Sequence, residues 1–147
     1  MFTFGREHER KCAVAYVRSP AQATLILAVV DAVHDLLESK SEPEALAQAL
    51  STAFAEGGSG VWEGAASWLR KSCVDYPELG CLWLALAQHP KSEVRFRIAC
   101  CLDDMPAALQ PEVAALLLAD KSPKISAMAR ARIHPEGTDS ASEGGTG

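Results

Sequence analysis

His8 and Cys12 stand four apart, beside Glu7 and Glu9. At helical spacing they form an imidazole–thiol pair able to start a metal site. No third or fourth ligand of suitable spacing lies near in sequence, so a solvated helix start is the plainer reading. Asp31, His34, Asp35 and Glu38 follow an i, i+3, i+4, i+7 pattern, one stripe of a helix. Such a stripe suits a cation or a basic partner, and equally the wet face of an amphipathic helix. Asp103-Asp104 before Met105-Pro106 reads as a helix-terminating turn, not an acid/base pair. No Ser or Cys occupies a nucleophile elbow, and no glycine-rich phosphate loop follows a strand. Gly57-Gly58-Ser59-Gly60 precedes a helix but has no lysine or strand beside it, which leaves a flexible turn. Hence no catalytic residue, metal site or cofactor is assigned, and the chain reads as non-enzymatic.

The five cysteines contain no CxxC pair. Cys81, Cys100 and Cys101 fall in apolar helical stretches, where a thiol behaves as a small hydrophobe, so reduced thiols in a cytoplasmic core are expected. The 147 residues allow one domain with its own core. A net charge of −5 repels phosphate backbones and anionic lipid as a whole. The charge is uneven. From Asp31 to Glu63 seven carboxylates face the single Lys40, whereas from Lys91 to Arg132 seven bases face five acids. Charges at Arg6, Glu7, Glu9, Arg10 and Lys11 interrupt the N-terminus before any apolar run, and Asp31 stops the run from Ala23 to Val30. Neither a secretory leader nor a membrane span is expected.

These side chains must sit on helices, because no stretch alternates with period two and β-branched residues are sparse. The first helix is expected from about Arg6 to Val17, with Cys12, Ala13, Tyr16 and Val17 on one side. Ser19-Pro20-Ala21-Gln22 starts the second through a Ser N-cap and Pro at the first helical position. That helix runs to about Ser39, and its middle is apolar nearly all round, so it should be covered on more than one side. Further helices are expected from Glu42 to about Ala55, Gly60 to Val74, Tyr76 to just before His89-Pro90, Ser92 to Leu102, Pro111 to Ala119 and Ser122 to Ile133. Residues 134–147 carry Pro, Gly, Ser, Thr and acids with no large apolar residue, and read as a disordered tail after a domain spanning 1–133.

The pattern repeats. Val61, Ala65, Ala66 and Leu69 fall on Val94, Ile98, Ala99 and Leu102, thirty-three residues on; Ile125, Ala129 and Ile133 follow after a further thirty-one. Before them, Leu46, Leu50 and Ala53 match Leu79, Trp83 and Leu86, then Gln110, Ala114 and Leu117. A period of thirty-odd residues marks stacked helical hairpins. His89-Pro-Lys-Ser-Glu-Val-Arg-Phe-Arg-Ile-Ala-Cys-Cys-Leu102 resembles the second helix of a HEAT-type repeat. Asp120-Lys-Ser-Pro-Lys-Ile-Ser126 resembles it more loosely, and the copy at Val61 departs from it with Trp62 in place of the arginine. The resemblance covers about residues 42–133. It implies an all-α, right-handed α-solenoid of three HEAT-like hairpins, with two N-terminal capping helices.

In such an array the second helices line one side, where Trp62, Glu63, Arg95, Arg97, Lys124 and Arg130 would share a surface. Trp68 and Trp83 fall on apolar positions and should be core. Trp62 does not, and an exposed Trp suits a protein contact. The expected function is a cytosolic protein-binding solenoid, an inhibitor or immunity-type (antitoxin-like) protein that blocks a partner enzyme or toxin. Asp31, Asp35, Glu38, Glu42 and Glu44 would steer it to a basic cleft. HEAT-like families also include alkylpurine DNA glycosylases and bilin-lyase subunits. A nucleic-acid-binding or lyase-type accessory role is therefore the alternative, beside an assembly scaffold. A surplus of two bases makes nucleic acid the weaker of these.

Overall fold

The computed structural model describes residues 1–133, and the tail expected to be disordered lies outside them. Among the described residues there are helices and no strand: α1 (Arg6–Ala13), α2 (Pro20–Leu37), α3 (Pro43–Glu56), α4 (Ser59–Asp75), α5 (Cys81–Ala87), α6 (Ser92–Cys100), α7 (Gln110–Leu118) and α8 (Pro123–Ile133). Two 3-10 turns, Pro77–Gly80 and Leu102–Asp104, punctuate them. The chain divides into two compact units, Met1–Leu82 and the part from Trp83 onward.

In the first unit α2 is central, packed against α1, α3 and α4, as its all-round apolar middle requires. It starts as expected: the Ser19 hydroxyl accepts from the Gln22 amide at 3.3 Å and Pro20 opens the helix. It ends two residues early, at Leu37, where Ser39 takes φ +61° and the Lys40 amide closes onto the Asp35 carbonyl at 2.7 Å. This is a left-handed C-terminal cap, in which Gly is the usual residue. Ile26, Val29, Val30 and Val33 meet Leu46, Leu50, Ala53 and Phe54 of α3 and Val61, Ala65 and Leu69 of α4 in the core. Between α3 and α4 the Gly57 turn is tight. A Cβ there would lie 2.5 Å from both the Ala53 carbonyl oxygen and Val61 Cγ1, so the turn is a close approach and not merely flexible.

The first helix is shorter than expected. It stops at Ala13, and Tyr16, expected on the covered side, is 96% exposed; Cys12 is exposed as well. Val14, Tyr16 and Val17 are poor helix formers, and the Ser19-Pro20 start of α2 forces an extended residue just before it. The single helix expected from Tyr76 is likewise a 3-10 turn followed by α5, because Pro77 and Gly80 weaken the α-ladder at that point.

In the second unit α8 packs against α6, α7 and the 102–104 turn. Its core holds Trp83, Leu86, Val94, Ile98, Leu102, Val113, Leu117, Ile125 and Ala129. Positions that match in the sequence repeat match in burial: Val61, Val94 and Ile125 are all buried, as are Ala65, Ile98 and Ala129. Ala66, Gln110 and Ile133 are the exceptions, all half-buried. Of the cysteines expected in the core, Cys101 is buried and Cys100 half-buried, whereas Cys81 is exposed and donates to the Glu78 carbonyl at 3.1 Å. Burial pushes the Cys101 thiol up to about 12.

Candidate functional site

The acidic stripe of α2 is occupied from within the first unit. Arg6 reaches Asp31 at 3.3 Å, Asp35 at 2.8 Å and Glu38 at 3.4 Å, and Arg10 pairs with Asp31. Between the arginines, Glu9 meets the buried His34 ring, Oε1 to Nε2, at 2.6 Å. Arg6, Glu9 and Arg10 stand at i, i+3, i+4 and mirror the spacing of Asp31, His34 and Asp35. The hydrogen bond to Asp35, first of all, raises the Arg6 guanidinium above its ordinary value. Lys40 at 2.8 Å, then Arg6, hold the Glu38 carboxyl below its usual range. Asp31, Asp35 and Glu38, expected to meet a basic partner, are thus already paired with arginines of the same unit while staying partly exposed. The signal was in the sequence: an Arg-x-x-Glu-Arg run on a neighbouring helix complements such a stripe. Glu42, at the N-cap of α3, and Glu63 on α4 are exposed. Trp62, expected exposed, is half-buried. His8 and Cys12 approach at 3.4 Å, Nε2 to Sγ, but no group of three or more His, Cys, Asp or Glu able to hold a metal occurs among the described residues.

In the second unit Arg95 is withdrawn from the surface on which it was expected. It is only 9% exposed. Its Nε donates to Asp120 at 2.7 Å and Nη1 donates to the His89 and Pro90 carbonyls at 2.9 and 3.1 Å. The guanidinium therefore ties the turn before α6 to the turn before α8. Arg95 in turn holds the Asp120 carboxyl below its ordinary value, helped by the Ser122 amide at 2.9 Å. In the same turn His89 Nδ1 accepts from the Lys91 amide at 3.0 Å. Burial, then Lys91 and Arg95, lower the His89 ring's value and favour that neutral acceptor form.

Arg97 and Lys124 do come together. They line one depression of about 250 Å³ with Ser92, Glu93, Phe96 and Ser122, where the Lys124 ammonium lies 4.4 Å from the Phe96 ring centre. Arg130 is exposed on α8. Trp62 and Glu63 belong to the first unit and these bases to the second.

A groove not anticipated from the sequence runs between α5 and α7. Its volume is about 620 Å³, and Leu84, Gln88, Glu112, Ala115, Leu116 and Ala119 line it. From Val113 to Ala119 the chain is apolar without interruption, yet only Val113, Ala114 and Leu117 are buried. Leu116 and Leu118 remain 36% and 38% exposed. A helix apolar on all sides is normally covered on all sides, and that run was the available signal.

By length and mean hydropathy (1.3 over 18 residues), α2 is the one described helix able to cross a membrane. Here it packs against three helices and carries the Asp31, His34 and Asp35 pairs. The chain matches no protein-family model, no curated protein and no solved structure in the three comparisons.

Proposed function

We propose that the chain is a non-catalytic, cytoplasmic docking protein built from three HEAT-like hairpins of an α-solenoid. It acts as an inhibitor or immunity-type protein that seats on a partner enzyme or toxin. The repeat reading is supported by the shared burial of Val61, Val94 and Ile125 and of Ala65, Ile98 and Ala129. The docking reading is carried by the bare side of α7 and its end, where Ala115, Leu116 and Ala119 meet solvent beside Leu84. Apolar surface of this kind on a polar-rimmed groove fits an amphipathic helix laid into it. The occupant is a partner helix with an aliphatic anchor and a basic flank, since Glu112 is the only charged residue in the groove lining and the chain is acidic overall. In the first unit Glu42, Glu44 and Glu63 are exposed acids that attract basic protein surfaces in their own right.

Arg95 is bound to Asp120 and so withdrawn from the basic surface, and Glu93 lines the same depression as Arg97 and Lys124. That leaves nucleic acid the weaker reading. Co-purification from native cells, run with wild type and with Leu116→Glu, tests the proposal. One stoichiometric protein is retained by wild type and lost with the variant. If no protein is retained at stoichiometry, or if Leu116→Glu retains it unchanged, the reading fails.

A further inference from the structure

We infer that the depression lined by Arg97 and Lys124 binds a phosphate monoester, presented as a phosphoserine on a partner protein. The inference is independent of the α5–α7 groove. Its frame is a duplicated turn. Lys91-Ser92 enters α6 and Lys121-Ser122 enters α8, thirty residues on. Arg95 brings the two copies together, with Nε on Asp120 at 2.7 Å and Nη1 on the His89 and Pro90 carbonyls at 2.9 and 3.1 Å. The two side chains of that clamp are 11% and 6% exposed, so the turns are fixed side by side by a bond that water hardly reaches.

Charge then accumulates outside the clamp. Arg95 and Asp120 answer each other, which leaves Lys91, Arg97, Lys121 and Lys124 against the single acid Glu93 on these turns and the first turns of their helices. Its effect is visible on the neighbouring groups. After burial, Lys91 and Arg95 lower the His89 ring's value, and Lys121 adds to the Arg95 bond in holding Asp120 down. Asp103 and Asp104 follow the opposite end of α6.

The donor set is of the kind a phosphate group recruits. Arg97 offers a planar fork, Lys124 a point charge, and Ser92 and Ser122 hydroxyls, all lining one depression. Phe96 forms a wall, with the Lys124 ammonium 4.4 Å from its ring centre. At about 250 Å³ the space falls below the roughly 300 Å³ at which pockets begin to take a drug-sized molecule. It suits a phosphate group on a short side chain better than a nucleotide. A phosphodiester backbone would need a continuous basic track, and the acids Asp103, Asp104 and Glu112 of the same unit oppose one. A phosphoserine brings a charge of about −1.5 to −2 in one place.

The test uses the full chain and a labelled peptide, Gly-Ala-phosphoserine-Ala-Gly, read by fluorescence polarisation. It binds at least tenfold more tightly than the same peptide with plain serine, and binding weakens severalfold from about 0.05 to 0.5 M NaCl. Arg97→Glu/Lys124→Glu, shown to be folded by circular dichroism, loses the binding. Glu93→Gln, which removes the one opposing acid, tightens it severalfold. Equal binding of the two peptides, unchanged binding by the double variant, or weaker binding by Glu93→Gln overturns the inference. So does inorganic phosphate that displaces the label at a lower concentration than unlabelled phosphopeptide, because the site then takes a free anion and not a partner's serine. Amide NMR on the wild type needs no variant: the phosphopeptide moves the signals of Ser92, Arg97, Ser122 and Lys124. Shifts confined to other residues overturn the inference equally.

Discussion

Replacing Asp120 with alanine removes the carboxylate that Arg95 Nε meets at 2.7 Å, at a site where the two side chains are 6% and 11% exposed. The guanidinium keeps its bonds to the His89 and Pro90 carbonyls but loses its counter-charge, and the Ser122 amide loses its acceptor. Removing one partner of a buried ion pair costs about 3–5 kcal/mol when the remaining charge is stranded. The retained carbonyl bonds and the nearby surface put this case at the lower end, about 3 kcal/mol. In a chain of this size that lowers Tm by about 10 °C. Arg95→Ala costs a similar amount, and the double variant costs less than the sum by about 1–2 kcal/mol, because the interaction is lost only once. Asp120→Asn keeps an acceptor and costs about half.

The acid limb adds an independent check. The folded-state carboxyl of Asp120 is held below its ordinary value by Arg95. Its contribution is therefore complete above the unfolded-state value near pH 4, and is lost as pH falls through the lower folded-state value. The gap between wild type and Asp120→Asn closes over that window. Thermal and urea unfolding of the wild type and the four variants between pH 2 and 7 measures both effects. Additive single substitutions, or an Asp120→Ala cost under about 0.5 kcal/mol, refute the role given to this pair.

Gly57→Ala places a methyl 2.5 Å from a backbone oxygen and lowers stability by about 2 kcal/mol in urea unfolding, more than a glycine-to-alanine change at an open site such as Gly60. Ser39→Gly relaxes the left-handed residue at the end of α2 and raises stability by up to about 1 kcal/mol. Leu50→Ala empties a fully buried position and costs about 3 kcal/mol by the same measurement. At pH 8 iodoacetamide modifies the exposed Cys12 and Cys81 within minutes, while Cys101, buried and with its thiol pushed up to about 12, reacts only on unfolding; mass spectrometry of the native protein reads the difference.

Helix starts were legible in the sequence wherever one local device decides them, as at Ser19-Pro20, where the cap and the fixed φ act within a single turn. Most core positions were legible where spacing repeats, as the burial of Val61, Val94 and Ile125 shows, but Ala66, Gln110 and Ile133 share the spacing and are only half-buried. What spacing does not reveal is a partner distant in sequence. Arg95 lies beside the apolar face on a helical wheel, and its burial depends on Asp120, twenty-five positions away. The stripe at Asp31 to Glu38 reads as solvated until Arg6 and Arg10 are seen laid across it. Tyr16 misled because a helical period was extended through residues that end the helix. The groove beside Leu116 was overlooked because an apolar run reads as core unless one knows that Leu116 stays 36% exposed.

The docking claim is tested most directly by mixing. The protein retained by the wild-type chain from native cells is purified, and its own activity is titrated with wild type and with Leu116→Glu. The account predicts loss of that activity at a one-to-one ratio with wild type, and a dissociation constant weakened at least tenfold by the variant. A retained protein whose activity is untouched at saturating wild type, or is blocked equally by both, contradicts it.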